Sequence, residues 1–308
     1  HWYKNHLSDY QTDKEQKKWC SEHIKLVDKS TGAVTEKPLY VCKAENIGSD
    51  MSIDDKAIGH DGFTILSNNE TGKIALMVES CKAEYVEQAL KHFGTDLNKI
   101  QHISMDMSAT YALVFNHLVP KAAQIVDKFH VMKYVYQTVC DVRSKTVKSL
   151  QSQLSKGKKR TPQDKQLLLQ IEQLRRVSHA VTQSKDKWSK ETEEIMNPLF
   201  KTNNELKMAY EISQKFKQWY NYQNRLTPIE QLVKNLENWY EEAVVLDEFK
   251  SVVKMIRKHQ SQIINFFKNG MTNAKAERLN GKIERFVSAN YGLKDKDFFL
   301  YRTANYFS

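Results

Sequence analysis

The chain has 308 residues, is 40% hydrophobic and carries a formal net charge of +10, with an isoelectric point near 9.2. That length suits one large domain or two moderate ones, and the apolar fraction excludes a disordered tail. The basic balance favours a polyanionic partner, nucleic acid being the commonest. No apolar run reaches membrane-spanning length and no secretory leader opens the chain. Cysteines at 20, 42, 81 and 140 match no zinc spacing and read as buried thiols in a reducing cytoplasm. Because the first residue is His1, the chain reads as part of a longer product or a trimmed one.

Residues 1–48 are mixed and polar. Trp2, Tyr3, Leu7 and Tyr10 allow an amphipathic turn or two, Ser30-Thr31-Gly32 reads as a loop, and the segment carries no assignable chemistry. From Met51 the pattern turns α/β. Strands are predicted at Met51–Ile58, Phe63–Leu66 and Lys73–Glu79, separated by turns at Gly59-His60-Asp61-Gly62 and Asn68–Gly72. A helix is predicted over Lys82–Phe93, with apolar residues at 83, 86, 89, 90 and 93. A strand at Ile100–Met107, a short helix at Ala109–Leu118 ended by Pro120, and a strand at Ala122–Val126 complete the run. The order β-β-β-α-β-α-β is that of a ribonuclease H-like mixed sheet with flanking helices.

From about Val131 to Asn269 the pattern is almost wholly helical, a large all-α insertion into the α/β domain. Thr227-Pro228-Ile229-Glu230 predicts a helix start with Thr227 as cap, Pro228 in the first turn and Glu230 closing a capping box. Thr161-Pro162-Gln163-Asp164 is a start of the same kind. The insertion is basic: residues 145–270 hold 23 Lys and Arg against 14 Asp and Glu, nearly the whole net charge. Between Asp141 and Asp164 lie Arg143, Lys145, Lys148, Lys156, Lys158, Lys159 and Arg160 and no acid. These seven are candidate phosphate contacts. The aromatics of the insertion, among them Trp188, Trp219, Tyr220, Tyr222 and Trp239, read as its core.

Two short stretches end alike, Met51-Ser-Ile-Asp54 and Ile103-Ser-Met-Asp106. Side chains alternate along a strand, so Ser52 and Asp54 share one face, as do Ser104 and Asp106. If the strands are parallel neighbours, Asp54 and Asp106 meet. Two close carboxylates raise each other's pKa unless a cation neutralises them, and magnesium takes such oxygen ligands. Near the end of the chain, Ala276, Leu279, Ile283 and Phe286 form one helical stripe, while Asn273, Glu277, Asn280 and Glu284 follow the same period on another face. Glu277 is there the candidate third ligand.

The combination of Ser104-Met-Asp106-Met107, Asp127-Lys-Phe-His130-Val131 and Asn273-x-x-x-Glu277-x-x-Asn280, with Ser52-Ile-Asp54-Asp55 upstream and Tyr291-Gly292, Phe298 and Arg302 downstream, resembles bacterial DDE transposases of the ISL3 insertion-sequence family. The resemblance spans roughly the whole chain, most closely 50–143 and 271–302. It implies that Asp54, Asp106 and Glu277 are catalytic and bind two Mg²⁺ ions (Mn²⁺ substituting), about 4 Å apart, which serve DNA cleavage and then strand transfer by the freed 3′-hydroxyl. Asp55 is the competing choice for Asp54. Asp127, His130, Asn273 and Asn280 are candidates for supporting the ligands. The implied partners are double-stranded DNA at transposon ends and target, a second copy of the chain on paired ends, and no membrane. The implied location is the bacterial cytoplasm, associated with the nucleoid. Two departures stand out. Lys128 replaces the family's Arg, and the family's zinc module and helix-turn-helix are missing, so a separate amino-terminal polypeptide is an expected source of end recognition.

The sequence thus predicts a segment 1–48 of unassigned role, a core in two parts (49–143 and 270–308, the latter with the glutamate helix), and an insertion over 144–269. The competing functions are a domesticated, non-catalytic DNA-binding relative and another ribonuclease H-like nuclease such as a junction resolvase.

Overall fold

The computed structural model describes residues 8–10, 22–27, 31–58, 60–155, 161–269, 274–289 and 295–307. The chain divides into two compact units, His1–Asp127 with Asn269–Ser308, and Lys128–Lys268.

The first unit is built on a seven-stranded mixed sheet. Its strands are β1 (Glu22–Val27), β2 (Val34–Cys42), β3 (Asp50–Ile58), β4 (Asp61–Asn68), β5 (Ile74–Val78), β6 (His102–Met105) and β7 (Ala123–Val126), arranged β1-β2-β5-β4-β3-β6-β7. From β1 to β3 every neighbour is antiparallel, while β3–β6 and β6–β7 are parallel. Hairpins join β3, β4 and β5, since Asn68 and Gly72 supply the turn. Asn68 Oδ1 accepts the amides of Glu70 and Thr71 at 2.8 and 3.0 Å, and Gly72 takes φ +74°. The parallel strands require crossovers, which are α1 (Ala83–Lys91) and α2 (Ala109–Leu118). The two amino-terminal strands fall in the segment left without assignment. Pro38 and the charges around it break the pattern of β2, although its backbone pairs with β1 at His23.

Strand alternation sorts the sheet into two cores. On one face Met51, Ile53, Leu66, Leu76, Ile103 and Met105 pack with Val86 and Leu90 of α1 and Phe115 of α2. The other face carries Ile58, Phe63, Ile65 and Met77.

The second unit is helical: α3 (Lys128–Ser152), α4 (Pro162–Arg176), α5 (Lys190–Thr202), α6 (Asn204–Trp219), α7 (Ile229–Ala243), α8 (Lys250–Lys258) and α9 (Gln260–Asn269). Its core is aromatic, as expected. Phe216 packs on Trp239 with ring centroids 4.6 Å apart, and Trp219 on Phe267 at 5.2 Å. The indole N–H groups of Trp188, Trp219 and Trp239 donate to the carbonyls of Ala180, Leu232 and Ile212 at 2.9–3.0 Å, so these rings are satisfied core groups. The expected boundary at 143/144 lies inside α3. No Gly or Pro interrupts residues 128–152, so one helix runs through and the units separate at the end of β7. The start of α4 is as predicted, with a Thr161/Asp164 capping box. The start of α7 is not: Pro228 takes the cap position and no side chain caps the helix. Proline has no N–H, and Thr227 lies one residue too early to reach the amides of the first turn.

The chain then returns to the first unit with α10 (Ala274–Ala289) and α11 (Lys296–Phe307). Leu279 and Ile283 of α10 and Phe299, Leu300 and Phe307 of α11 complete the second core. Full burial of Leu279 and Ile283 is worth roughly 1.5–3 kcal/mol each, enough to fix the rotation of α10 about its axis. Tyr10 is buried there too, edge-on to Tyr301 at 5.0 Å; Trp2, Tyr3 and Leu7 lie outside the described residues.

Candidate metal centre between two parallel strands

Asp54 lies midway along β3, and Asp106 lies one residue past the end of β6, its parallel neighbour. Ser52 pairs with Ser104, and carrying that register two residues further sets Asp54 beside Asp106. Both side chains point to the face opposite Met51, Ile53, Ile103 and Met105, and one carboxylate oxygen of each lies within 4.8 Å of the other. On the next strand Met105 pairs with Val126, and the Asp127 amide donates to the Met105 carbonyl at 2.9 Å. Asp127 therefore stands in the same row. His130 follows it by one turn, within α3.

The competing choice, Asp55, faces the other way. Its Oδ1 accepts the Tyr111 hydroxyl of α2, and Thr64 Oγ1 lies 2.7 Å from it. Tyr111 is buried, and burial followed by the Asp55 hydrogen bond holds its phenol far above the usual tyrosine range. Nearby, burial and the Asp55 charge push the Cys81 thiol up to about 11. Asp55 is thus occupied on the α2 side, and only its main chain serves Asp54: the Asp55 amide lies 2.9 Å from Asp54 Oδ1. No sequence signal marked Tyr111 as its partner, because the pairing crosses 56 residues and depends on how α2 packs.

Helix α10 runs alongside β3 on the Asp54 face. Asn280 Nδ2 donates to Asp54 Oδ2 at 2.5 Å, and Glu284 takes Lys56 at 2.5 Å. The lysine holds the Glu284 carboxyl below its ordinary range. Glu277 lies one turn before Asn280 on the same polar sector and is exposed, while Ala276, Leu279 and Ile283 are buried on the other side. Asn273 lies outside the described residues.

Of the basic residues expected to meet DNA, Lys156, Lys158, Lys159 and Arg160 lie outside the described residues. Arg143 donates from Nη1 to the Leu174 carbonyl at 3.1 Å, where a cation suits the last turn of α4. Lys145 is paired with Glu248 at 2.6 Å and Glu205 at 3.6 Å, which raises its pKa. Lys148 is exposed. Two of the three described bases are therefore engaged by partners within the helical unit.

The donor set, two convergent carboxylates from neighbouring strands, is oxygen-rich and fits a hard divalent cation. The fold and this cluster define an α/β protein with an acidic cluster on one face of its sheet. A family model described as "Transposase", that of the ISL3-type DDE transposases, matches residues 51–303. That is well over half of the chain, and the chain belongs to this family; it is a transposase, an enzyme that processes DNA. No curated protein and no solved structure matched it. Among the described residues no helix is long and apolar enough to cross a membrane.

Proposed function

We propose that this chain carries the catalytic domain of an insertion-sequence transposase that cuts DNA at the element's ends and joins them to a target. On this reading the five strands β5-β4-β3-β6-β7 are a ribonuclease H-like core, supported by a hairpin-linked meander followed by two parallel strands. Asp54, Asp106 and Glu277 are the metal ligands. The observation that carries the proposal is the approach of the Asp54 and Asp106 carboxylates on the face that α10 covers.

Magnesium, with manganese as a substitute, is the cation the oxygen donors suit, and two such ions would activate the attacking oxygen and neutralise the leaving one. The chain's own residues prepare the site. Asn280 and the Asp55 amide each hold one oxygen of Asp54 and so fix the direction of its remaining lone pairs. Glu277 is exposed on the same polar sector of α10 as Asn280, which contacts Asp54. The Asp127-x-x-His130 element is kept as a candidate for supporting the ligands.

The joining reaction needs two ends, so a dimer on paired ends is part of the proposal, with end recognition supplied outside these residues. Lys148 and the bases at 156–160 remain candidates for DNA contact. The test is Asp106→Asn assayed with Mg²⁺ on labelled element ends. Cleavage should vanish with DNA binding retained. Full cleavage by this variant would refute the assignment. Binding to the ends without cleavage by the wild type in either metal would favour the domesticated relative. Nicking without strand transfer would favour a nuclease.

A further inference from the structure

Helix α10 has a third face that neither the core nor the acidic site uses. At about 100° per residue, Ala276, Leu279, Ile283 and Phe286 fall in one sector, and Glu277, Asn280 and Glu284 in a second. Lys275, Arg278, Lys282 and Arg285 fill the remaining sector, and all four are exposed. No acid shares it: the acids between 275 and 285, Glu277 and Glu284, both sit in the second sector. The rotation is fixed by packing, since Leu279 and Ile283 are buried and Asn280 and Glu284 are tied to β3. Lys275 reaches back to the carbonyl of Glu70 in the β4–β5 turn. Arg285 donates from Nε to the Gly281 carbonyl at 3.2 Å, which orients its guanidinium along the helix.

We infer that Arg278, Lys282 and Arg285 form a phosphate-binding ridge that carries one strand of DNA past Glu277. The inference rests on the reading of Glu277 as part of the catalytic site. From residue 278 to 285 the helix rises about 10 Å. One DNA strand advances about 3.4 Å per phosphate, so the ridge spans about three phosphates. Arginine at both ends suits bidentate phosphate contact, and the lysine adds a point charge between them. A strand whose reactive phosphate lies at Glu277 meets Arg278 at the next residue and then the rest of the ridge. The same basic stripe on an exposed helix would otherwise be a solvated face, and the two differ in one measurable quantity, the number of counterions released on binding.

The experiment measures binding of a short fluorescein-labelled duplex by anisotropy, in EDTA, between about 50 and 200 mM salt. The wild type is compared with R278Q/K282Q/R285Q and with R278K/R285K, each checked for fold by circular dichroism. The triple variant should lose up to about 2.7 from the slope of log K against log salt, about 0.9 per phosphate, whereas the lysine variant keeps the wild-type slope. An unchanged slope in the triple variant overturns the ridge, and so does an equal loss in the lysine variant, which would indicate structure rather than charge. Should the triple variant fail to fold, R278Q and R285Q singly should each lose about 0.9, and no loss in either overturns the ridge. Nicking by Glu277→Gln separates this inference from the catalytic reading: retained nicking refutes the site but leaves the slope result standing as evidence on the ridge.

Discussion

Asn280 donates its amide to Asp54 at 2.5 Å, joining β3 to a helix 226 residues later in the chain. The bond does two things. It fixes one oxygen of Asp54, and it sets the register of α10 along β3, which Lys56 and Glu284 repeat one turn further on. Removing it should loosen the cation site without unfolding the sheet. For Asn280→Ala we expect the Mn²⁺ concentration that half-activates nicking to rise about 10- to 100-fold, the usual effect of losing a partner that orients a metal ligand. An unaltered metal titration would show that Asn280 only packs.

Asp54 and Asp55 are neighbours with opposite duties. Tyr111→Phe removes the hydroxyl that Asp55 accepts and should cost only about 1 kcal/mol in unfolding free energy, because Asp55 is exposed and keeps Thr64 Oγ1 as a donor. Cleavage by that variant should fall less than by Asp54→Asn, which should abolish it. Equal loss in the two would mean that the Asp54 and Asp55 roles are shared rather than divided.

Cys81, expected from the sequence to be buried but exposed in the structure with its sulfur partly covered, tests the surroundings of Asp55 by its chemistry. Burial and the Asp55 charge place its thiol at about 11, so at pH 8 it should alkylate far more slowly than an ordinary cysteine of pKa about 8.5. Asp55→Asn removes the charge, and the alkylation profile should move to lower pH. Mass mapping of the modified peptide across a pH series reads this directly. A profile that stays put would assign the shift to burial alone.

The capping box of α4 should show in acid. Asp164 accepts from the Ser155 amide and hydroxyl at 2.8 and 2.5 Å and from the Thr161 amide at 2.8 Å, and these donors hold its carboxyl well below the ordinary value. A depressed carboxylate stabilises the fold above its unfolded pKa of about 3.9 and loses that contribution as pH falls through its folded value. Asp164→Asn should therefore melt lower than wild type at pH 7, with the gap closing below about pH 4. Thr161→Ala should cost about 1 kcal/mol with little dependence on pH. Differential scanning calorimetry of the three proteins at several pH values separates the two effects.

Much of the first unit was legible because its strands and crossover helices follow strong local rules. The run from β3 to β7 came from period-two apolar stretches punctuated by Asn, Gly and Pro, and each strand lies within a few residues of its predicted span. The face of Asp54 was legible for the same reason, since alternation alone puts it with Ser52 and against Ile53. β1 and β2 were missed because charges and Pro38 hide them. Thr227 was misread as a cap because the Thr-Pro-x-Glu pattern matches a helix start whose first residue is Pro228, whereas the helix begins at Ile229. Arg143 and Lys145 stood out in the sequence by charge alone, which shows neither the Leu174 carbonyl nor the Glu248 carboxylate that they meet within the helical unit.

Taken alone, the sequence determined which residue types recur at which period: two Ser-x-Asp stretches, an amphipathic helix with Glu277 on its polar side, and a basic excess in the middle of the chain. Periodicity is a local property, set by backbone geometry, and it needs no knowledge of the partner. Only the tertiary structure decided that β3 and β6 are parallel neighbours, that their two aspartates converge, that Asn280 closes on Asp54, and that Asp55 turns away to Tyr111. Those facts depend on strand pairing and helix docking over long separations, where many residues share the free energy and no short pattern encodes the outcome.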